Sequence, residues 1–323
     1  KAVCKVRSRV RFALTGTPVE NRLGELWSIF SFLMPGYLPP YKSFCSRFEK
    51  PIVQEENQTA VRRLNQLTGP FILRRMKADV LKELPPKTEN VYRIELEEEQ
   101  RKLYLAAVVD AREKLRAAKP EDKMAVFAVL MRLREICCDP RLIADNWEGG
   151  SAKLDACVEL ISGAVEGGHR ILLFSQFTSM LELLAKRLDA EGISHFTLQG
   201  STPKPVRAEL VRRFNGGEVS VFLISLRAGG TGLNLTAADI VIHYDPWWNV
   251  AAQNQATDRA YRIGQQNPVQ VYKLIAQDTI EEKIVELQQA KQSLADTVTG
   301  TADGAILSMR PDELLQLLEG SEG

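Results

Sequence analysis

Arg170-Ile-Leu-Leu-Phe-Ser175 is a short apolar run closed by a serine, and it is one of a series. Val219-Ser-Val-Phe-Leu-Ile-Ser225, Asp239-Ile-Val-Ile-His-Tyr244 and Val269-Gln-Val-Tyr-Lys-Leu-Ile275 repeat it, and Ser194-His-Phe-Thr-Leu198 is a weaker copy. Around and between them, residues 152–166, 178–191, 205–214, 250–261 and 279–297 read as helices by their apolar spacing. Short apolar runs without alternation mark strands buried on both faces. Such strands separated by helices predict a parallel, doubly wound α/β sheet. Ligands of these sheets lie at the carboxyl ends of the strands. The loops after Phe174, Ser225 and Tyr244 are therefore the places where chemistry is expected.

Toward the N-terminus the pattern is mainly helical. Residues 10–14 read as a short strand ending in Thr15-Gly-Thr-Pro18, and a helix from Arg22 to Leu33 is stopped by Pro35-Gly36. Residues 37–57 read as loop with short helix, and 58–82 as a helix broken near Gly69-Pro70. Pro85-Pro86 makes a joint, followed by a strand over Glu89–Leu96 and helices over Glu97–Ala118 and Lys123–Cys138. Asp145-Asn-Trp-Glu-Gly-Gly150 reads as a linker, as does Gly300–Arg310 before a last helix, Pro311–Leu318.

Bulk properties set the class. A chain of 323 residues accommodates about two domains. Apolar content of 45% and charged content of 26% are those of a globular protein. A net charge of +1 argues against a wholly basic nucleic-acid coat, while arginine clusters at Arg7-Arg11, Arg62-Arg63, Arg74-Arg75 and Arg212-Arg213 leave room for a local groove or a solvated face. Five cysteines without Cys-x-x-Cys spacing and only three histidines predict no metal site and a reducing compartment. There is no run of eighteen apolar residues. The absence of an initiator methionine leads us to expect part of a longer protein.

Four stretches carry candidate chemistry. Gln255-Ala-Thr-Asp-Arg-Ala-Tyr-Arg-Ile-Gly-Gln265 is expected to place Gln255, Arg259 and Arg262 on one helix face. Two adjacent guanidiniums repel, so the pair makes sense if both face one polyanion such as a phosphate chain. Ser225-Leu-Arg-Ala-Gly-Gly-Thr-Gly-Leu-Asn-Leu235 holds three glycines in four residues, either a tight turn or a backbone approach to an anion. Ser175-Gln176-Phe177 offers a hydroxyl and an amide to a phosphodiester, or a helix cap from Ser175 or Thr178. In Asp245-Pro-Trp-Trp-Asn249, core packing is the plainer reading of the tryptophans and stacking on a base or partner the other. No Gly-x-x-x-x-Gly-Lys-Ser/Thr phosphate loop occurs.

Taken together these blocks resemble a known family. Leu14-Thr-Gly-Thr-Pro18, Pro70-Phe-Ile-Leu-Arg-Arg75, Leu84-Pro-Pro-Lys87, Ile171-Leu-Leu-Phe-Ser-Gln-Phe177, Ala228-Gly-Gly-Thr-Gly-Leu-Asn-Leu235, Asp245-Pro-Trp-Trp-Asn249 and Gln255–Gln265 resemble, in order and spacing, the Swi/Snf-type ATPases of helicase superfamily two. The resemblance covers nearly the whole chain. Leu226-Arg227 stands where many members have Thr-Lys, Val250 replaces a frequent proline and Tyr261 a frequent histidine.

The resemblance implies two RecA-like lobes with a nucleotide cleft between them. Residues 1–18 would be the tail of lobe one, 19–145 helical insertions with lobe one's return strand, 150–297 the second lobe, and 298–323 a linker and short helix. Arg259 and Arg262 would be arginine fingers; Gln255, Gly232 and Asn234 would meet the nucleotide. Ser175, Gln176, Arg227, Gly229 and Gly230 would track the DNA backbone, and Thr15 and Thr17 would couple nucleotide state to DNA grip. ATP with magnesium would bind mainly to an upstream lobe, which carries the phosphate loop. Partners would be double-stranded DNA, that upstream lobe and a DNA-bound protein; the location would be the microbial cytoplasm and nucleoid, or a eukaryotic nucleus. The expected function is DNA translocation with little ATPase from this chain alone. A non-enzymatic DNA-binding or docking module and a strand-separating helicase are the alternatives.

Overall fold

The computed structural model describes residues 3–15, 23–55, 57–73, 75, 81, 83–119, 122–229, 232–295 and 309–319. The chain forms two compact units, Lys1–Val80 with Gln288–Ala305, and Leu81–Leu287 with Ile306–Gly323. In the first, helix α1 (Leu23–Leu33) and helix α2 (Gln58–Thr68) flank a helical stretch that passes through a π-helical turn at Cys45–Glu49. Leu23, Leu26 and Phe30 of α1 meet Phe44, Phe48 and Leu64 in a small core. The Asn57 side chain accepts the Thr59 and Ala60 N–H groups and so starts α2.

The strand expected at 10–14 is not formed. Val10, Phe12 and Leu14 are exposed, and no described strand runs beside them. A strand needs a ladder partner for its N–H and C=O groups, and apolar composition does not supply one.

The second unit is built on six strands: β1 (Lys87–Ile94), β2 (Ile171–Ser175), β3 (His195–Leu198), β4 (Val221–Ser225), β5 (Ile240–His243) and β6 (Val269–Ala276). Their order is β1-β6-β5-β2-β4-β3, and every pairing is parallel. β2, β4 and β5 are buried throughout, as their unbroken apolar runs require. Successive side chains leave by opposite faces. Ile171, Leu173, Leu223 and Ile242 pack under α5 (Ala152–Glu166) and α6 (Thr178–Ala190), following α3 (Glu98–Ala117) and α4 (Lys123–Cys138) in the chain. Leu172, Phe174, Phe222 and Val241 pack with Phe214 of α7 (Lys204–Asn215) and Ala256 of α8 (Val250–Thr257). This is the doubly wound α/β architecture expected from the sequence.

Two expectations are corrected. The strand after Pro85-Pro86, read as lobe one's return strand, is the edge of this same sheet, with Lys87 beside Val269 and Ile94 beside Ala276. Val269 N–H donates to the Pro86 carbonyl at 2.9 Å and Gln277 N–H to the Ile94 carbonyl at 2.8 Å, closing both ends. Only Ile94 of β1 is buried, so its alternation reflects an exposed edge. The helical stretch 19–145 is correspondingly divided at Leu81. Helices α3 and α4 share a core with Trp248, with Ile280 and Ile284 of α9 (Ile280–Ala295) and with Leu314 and Leu318 of α10 (Pro311–Glu319).

Candidate functional site

The loops at the carboxyl ends of β2, β4 and β5 and the turn after α8 hold the sequence-predicted residues of the second unit. Helix α8 begins where Asn249 Oδ1 accepts the Ala252 N–H at 2.6 Å. It ends at Thr257, four residues earlier than the spacing predicts. Gln255 is therefore helical, whereas Arg259 and Arg262 lie in the turns that follow.

The early stop is held by Gln265 and Gly264. The Gln265 side chain is buried, and its Nε2 donates to the carbonyls of Ala238 at 2.7 Å and Ala260 at 3.2 Å. Its Oε1 accepts the Gln266 and Asn267 N–H groups, both at 2.9 Å. Gly264 has φ +100°, a conformation that side chains avoid. Sequence reasoning placed both residues in the motif without a role; Arg-Ile-Gly-Gln was readable as a turn from its glycine.

Arg259 is 8% exposed, and burial and then the Arg262 guanidinium both push its pKa down. The Asp258 carboxylate acts in the opposite sense. Arg262 is exposed. The Arg259 carbonyl accepts the Leu235 N–H at 3.0 Å, which ties the arginine turn to the segment holding Gly232 and Asn234. Asn234 is exposed, and its carbonyl accepts the Asn215 amide at 2.9 Å. Gly232 has φ +29°, and a Cβ there would meet nothing within 4 Å, so the backbone is open to close approach. At the end of β5, His243 Nε2 lies 2.8 Å from Thr257 Oγ1 and the ring stacks on Phe174, which pins the end of α8 to the sheet.

The β2 loop is partly used by the protein itself. Ser175 is buried, and its hydroxyl donates to Asp245 Oδ1 at 2.5 Å while accepting the Phe177 N–H at 3.1 Å. Its proton thus has a buried carboxylate partner, which any contact with a phosphate would share or displace. Gln176 is half-buried, and its Nε2 makes no hydrogen bond among the described residues.

Leu226–Gly229 forms one helical turn beginning at the end of β4, placing the backbone of Arg227 and Gly229 there. Gly230 and Thr17 lie outside the described residues, and Thr15 belongs to the first unit. Trp248 is core, and Trp247 packs partly against the same cluster. No described helix is long and apolar enough to cross a membrane.

A doubly wound parallel sheet with a glycine loop after one strand and a paired-arginine turn joined to that loop defines a RecA-like lobe of the helicase type. Residues 1–142 match the SNF2-related domain and residues 152–264 the helicase conserved C-terminal domain. The Sulfolobus solfataricus SWI2/SNF2 ATPase core in complex with dsDNA is 35% identical with a TM-score of 0.62, over 97% of this chain and 67% of that one. The C-terminal domain of the same organism's ATPase is 29% identical with a TM-score of 0.59, over 71% of this chain and 96% of that one. The putative ATP-dependent helicase/translocase YwqA of Bacillus subtilis is 40% identical over 98% of this chain and 35% of its own length. The chain belongs to the SWI2/SNF2 family of helicase-like ATPases. It spans about a third of the length of curated relatives that it matches.

Proposed function

We propose that this chain is the C-terminal half of an ATP-dependent translocase on double-stranded DNA, acting on protein–DNA complexes. The observation that carries the reading is the arginine turn laced to the Gly232–Leu235 segment by the Leu235–Arg259 hydrogen bond. That lacing lets one ligand meet Arg259, Arg262, Gly232 and Asn234 together, and Gln255 stands on the adjoining helix.

ATP with magnesium supplies the driving reaction, phosphoryl transfer to water, and an upstream lobe holds most of it. The residues here fit its far side. A guanidinium already stripped of much water and crowded by a second cation gains by facing phosphate oxygens. Arg259 and Arg262 stabilise the charge that develops on the transferring group. Gly232 lets the backbone come close, and Asn234 offers a neutral polar contact. Gln176 and the backbone of the Leu226–Gly229 turn face the DNA strand, and Thr15 and Thr17 belong to the link between nucleotide and DNA grip. The DNA-bound relative supports this assignment of the partner. The chain alone hydrolyses little ATP, because its sequence contains no phosphate loop. A protein of this activity works where the DNA is, in a nucleoid or a nucleus.

The test is the ATPase rate with and without duplex DNA, for the chain alone and mixed with its upstream half. Silence alone and DNA-stimulated turnover on mixing is the expected result. Silence in both, with the halves folded and associated, moves the reading to a non-enzymatic docking module.

A further inference from the structure

Arg134 is fully enclosed, and it lies on α4, outside all of the motif loops. Its Nη2 donates to Asp245 Oδ2 at 3.3 Å and to the Pro246 carbonyl at 2.5 Å. The guanidinium carbon lies 4.2 Å from the centre of the Trp248 ring and 5.5 Å from that of Phe177. Asp245 is equally enclosed, and its carboxylate is shared. Oδ1 accepts the Ser175 hydroxyl at 2.5 Å, and the Gln176 backbone N–H reaches the two oxygens at 3.3 and 3.4 Å.

One buried carboxylate thus holds the loop after β2, and one buried arginine holds the carboxylate, the start of the Asp245-Pro-Trp-Trp loop and the aromatic rings of both loops. Desolvation largely cancels the Coulomb gain of such a pair, so stability alone is a poor reason for it. Its geometric consequence is definite: the backbone of Gln176 has one place to be. The Gln176 Nε2 is itself enclosed and has no acceptor among the described residues, so the loop, as held here, carries a buried polar group without a partner.

We infer that Arg134 is a positioning residue, which acts through Asp245 to set the Ser175-Gln176-Phe177 loop for a DNA phosphate. This rests on the DNA-facing reading of that loop given above. The helical segment between β1 and β2 then contributes to DNA grip without touching DNA.

Two readouts test it on Arg134→Met and Arg134→Lys. Arg134→Met in the isolated chain should speed hydrogen exchange at the Gln176 and Phe177 amides about ten-fold relative to amides in α6. In the motor assembled with the upstream half, it should raise the DNA concentration for half-maximal ATPase about ten-fold. The DNA-free rate and the KM for ATP should stay within about two-fold, and Arg134→Lys should recover most of the DNA effect. If Arg134→Met does not fold, Arg134→Met with Asp245→Asn removes the unpaired buried charge while leaving an oxygen acceptor, and the same effects are expected. A folded variant with unchanged amide exchange and unchanged DNA half-saturation overturns the inference. If the unmutated motor ignores DNA, the proposed function fails instead, and the amide exchange still decides whether Arg134 holds the loop.

Discussion

At the scale of single residues, Arg259 and Arg262 differ in environment although their motif treats them alike. Arg259 is nearly buried and its charge is opposed by both burial and its neighbour, whereas Arg262 is exposed. Replacing either by alanine in the assembled motor should cut DNA-stimulated kcat by roughly 10³-fold. Nucleotide binding should be retained, as a fluorescent-nucleotide titration will show. Unchanged turnover refutes the finger assignment. Gly264 is a second test at this scale. Its φ of +100° makes Gly264→Ala cost at least ~1–2 kcal/mol, read as a lowered Tm. The turn that carries Arg262 should loosen with it.

At the scale of elements, the loop after β5 is a structural joint. Trp248 is 5% exposed, packed with α3 and α4 residues and stacked on Arg134. Trp248→Ala should destabilise the unit by about 3–5 kcal/mol in urea unfolding, whether or not DNA is present. A loss of DNA response at unchanged stability contradicts the core assignment. The same element shows why some readings succeeded. β2, β4 and β5 were legible because burial on both faces demands apolar residues at every position. β1 was legible as a strand but not as a member of this sheet, since an exposed edge leaves little record of its neighbour. The end of α8 was misread because Gln265 closes the turn through carbonyls of Ala238 and Ala260, one of them remote in sequence.

At the scale of the whole molecule, His243 makes stability sensitive to mild acid. Burial, reinforced by Lys273, pushes its pKa down to about 3 from an ordinary 6.5. Between those values the unfolded chain binds a proton that the folded chain refuses, so stability falls as pH drops below about 6.5. At 1.36 kcal/mol per pH unit, the loss approaches ~2 kcal/mol by pH 5. Urea midpoints at pH 7.5 and pH 5 should show it, and His243→Gln, which can still face Thr257, should flatten the difference. An equal difference in the variant assigns the acid sensitivity elsewhere.

The amino-acid sequence by itself determined the sheet class, the order of the motif blocks and the positions where phosphate chemistry is expected. Those features are written in local composition: unbroken apolar runs, glycines grouped in one loop, arginines three apart. Only the tertiary structure decided that β1 joins the second unit's sheet, that the Ser175 hydroxyl meets Asp245, and that Arg134 stands behind both loops. Each depends on a partner many residues away, 182 in the pairing of Lys87 with Val269 and 111 between Arg134 and Asp245. Burial gives such pairings their meaning, because a buried polar group must find its partner wherever the fold brings one.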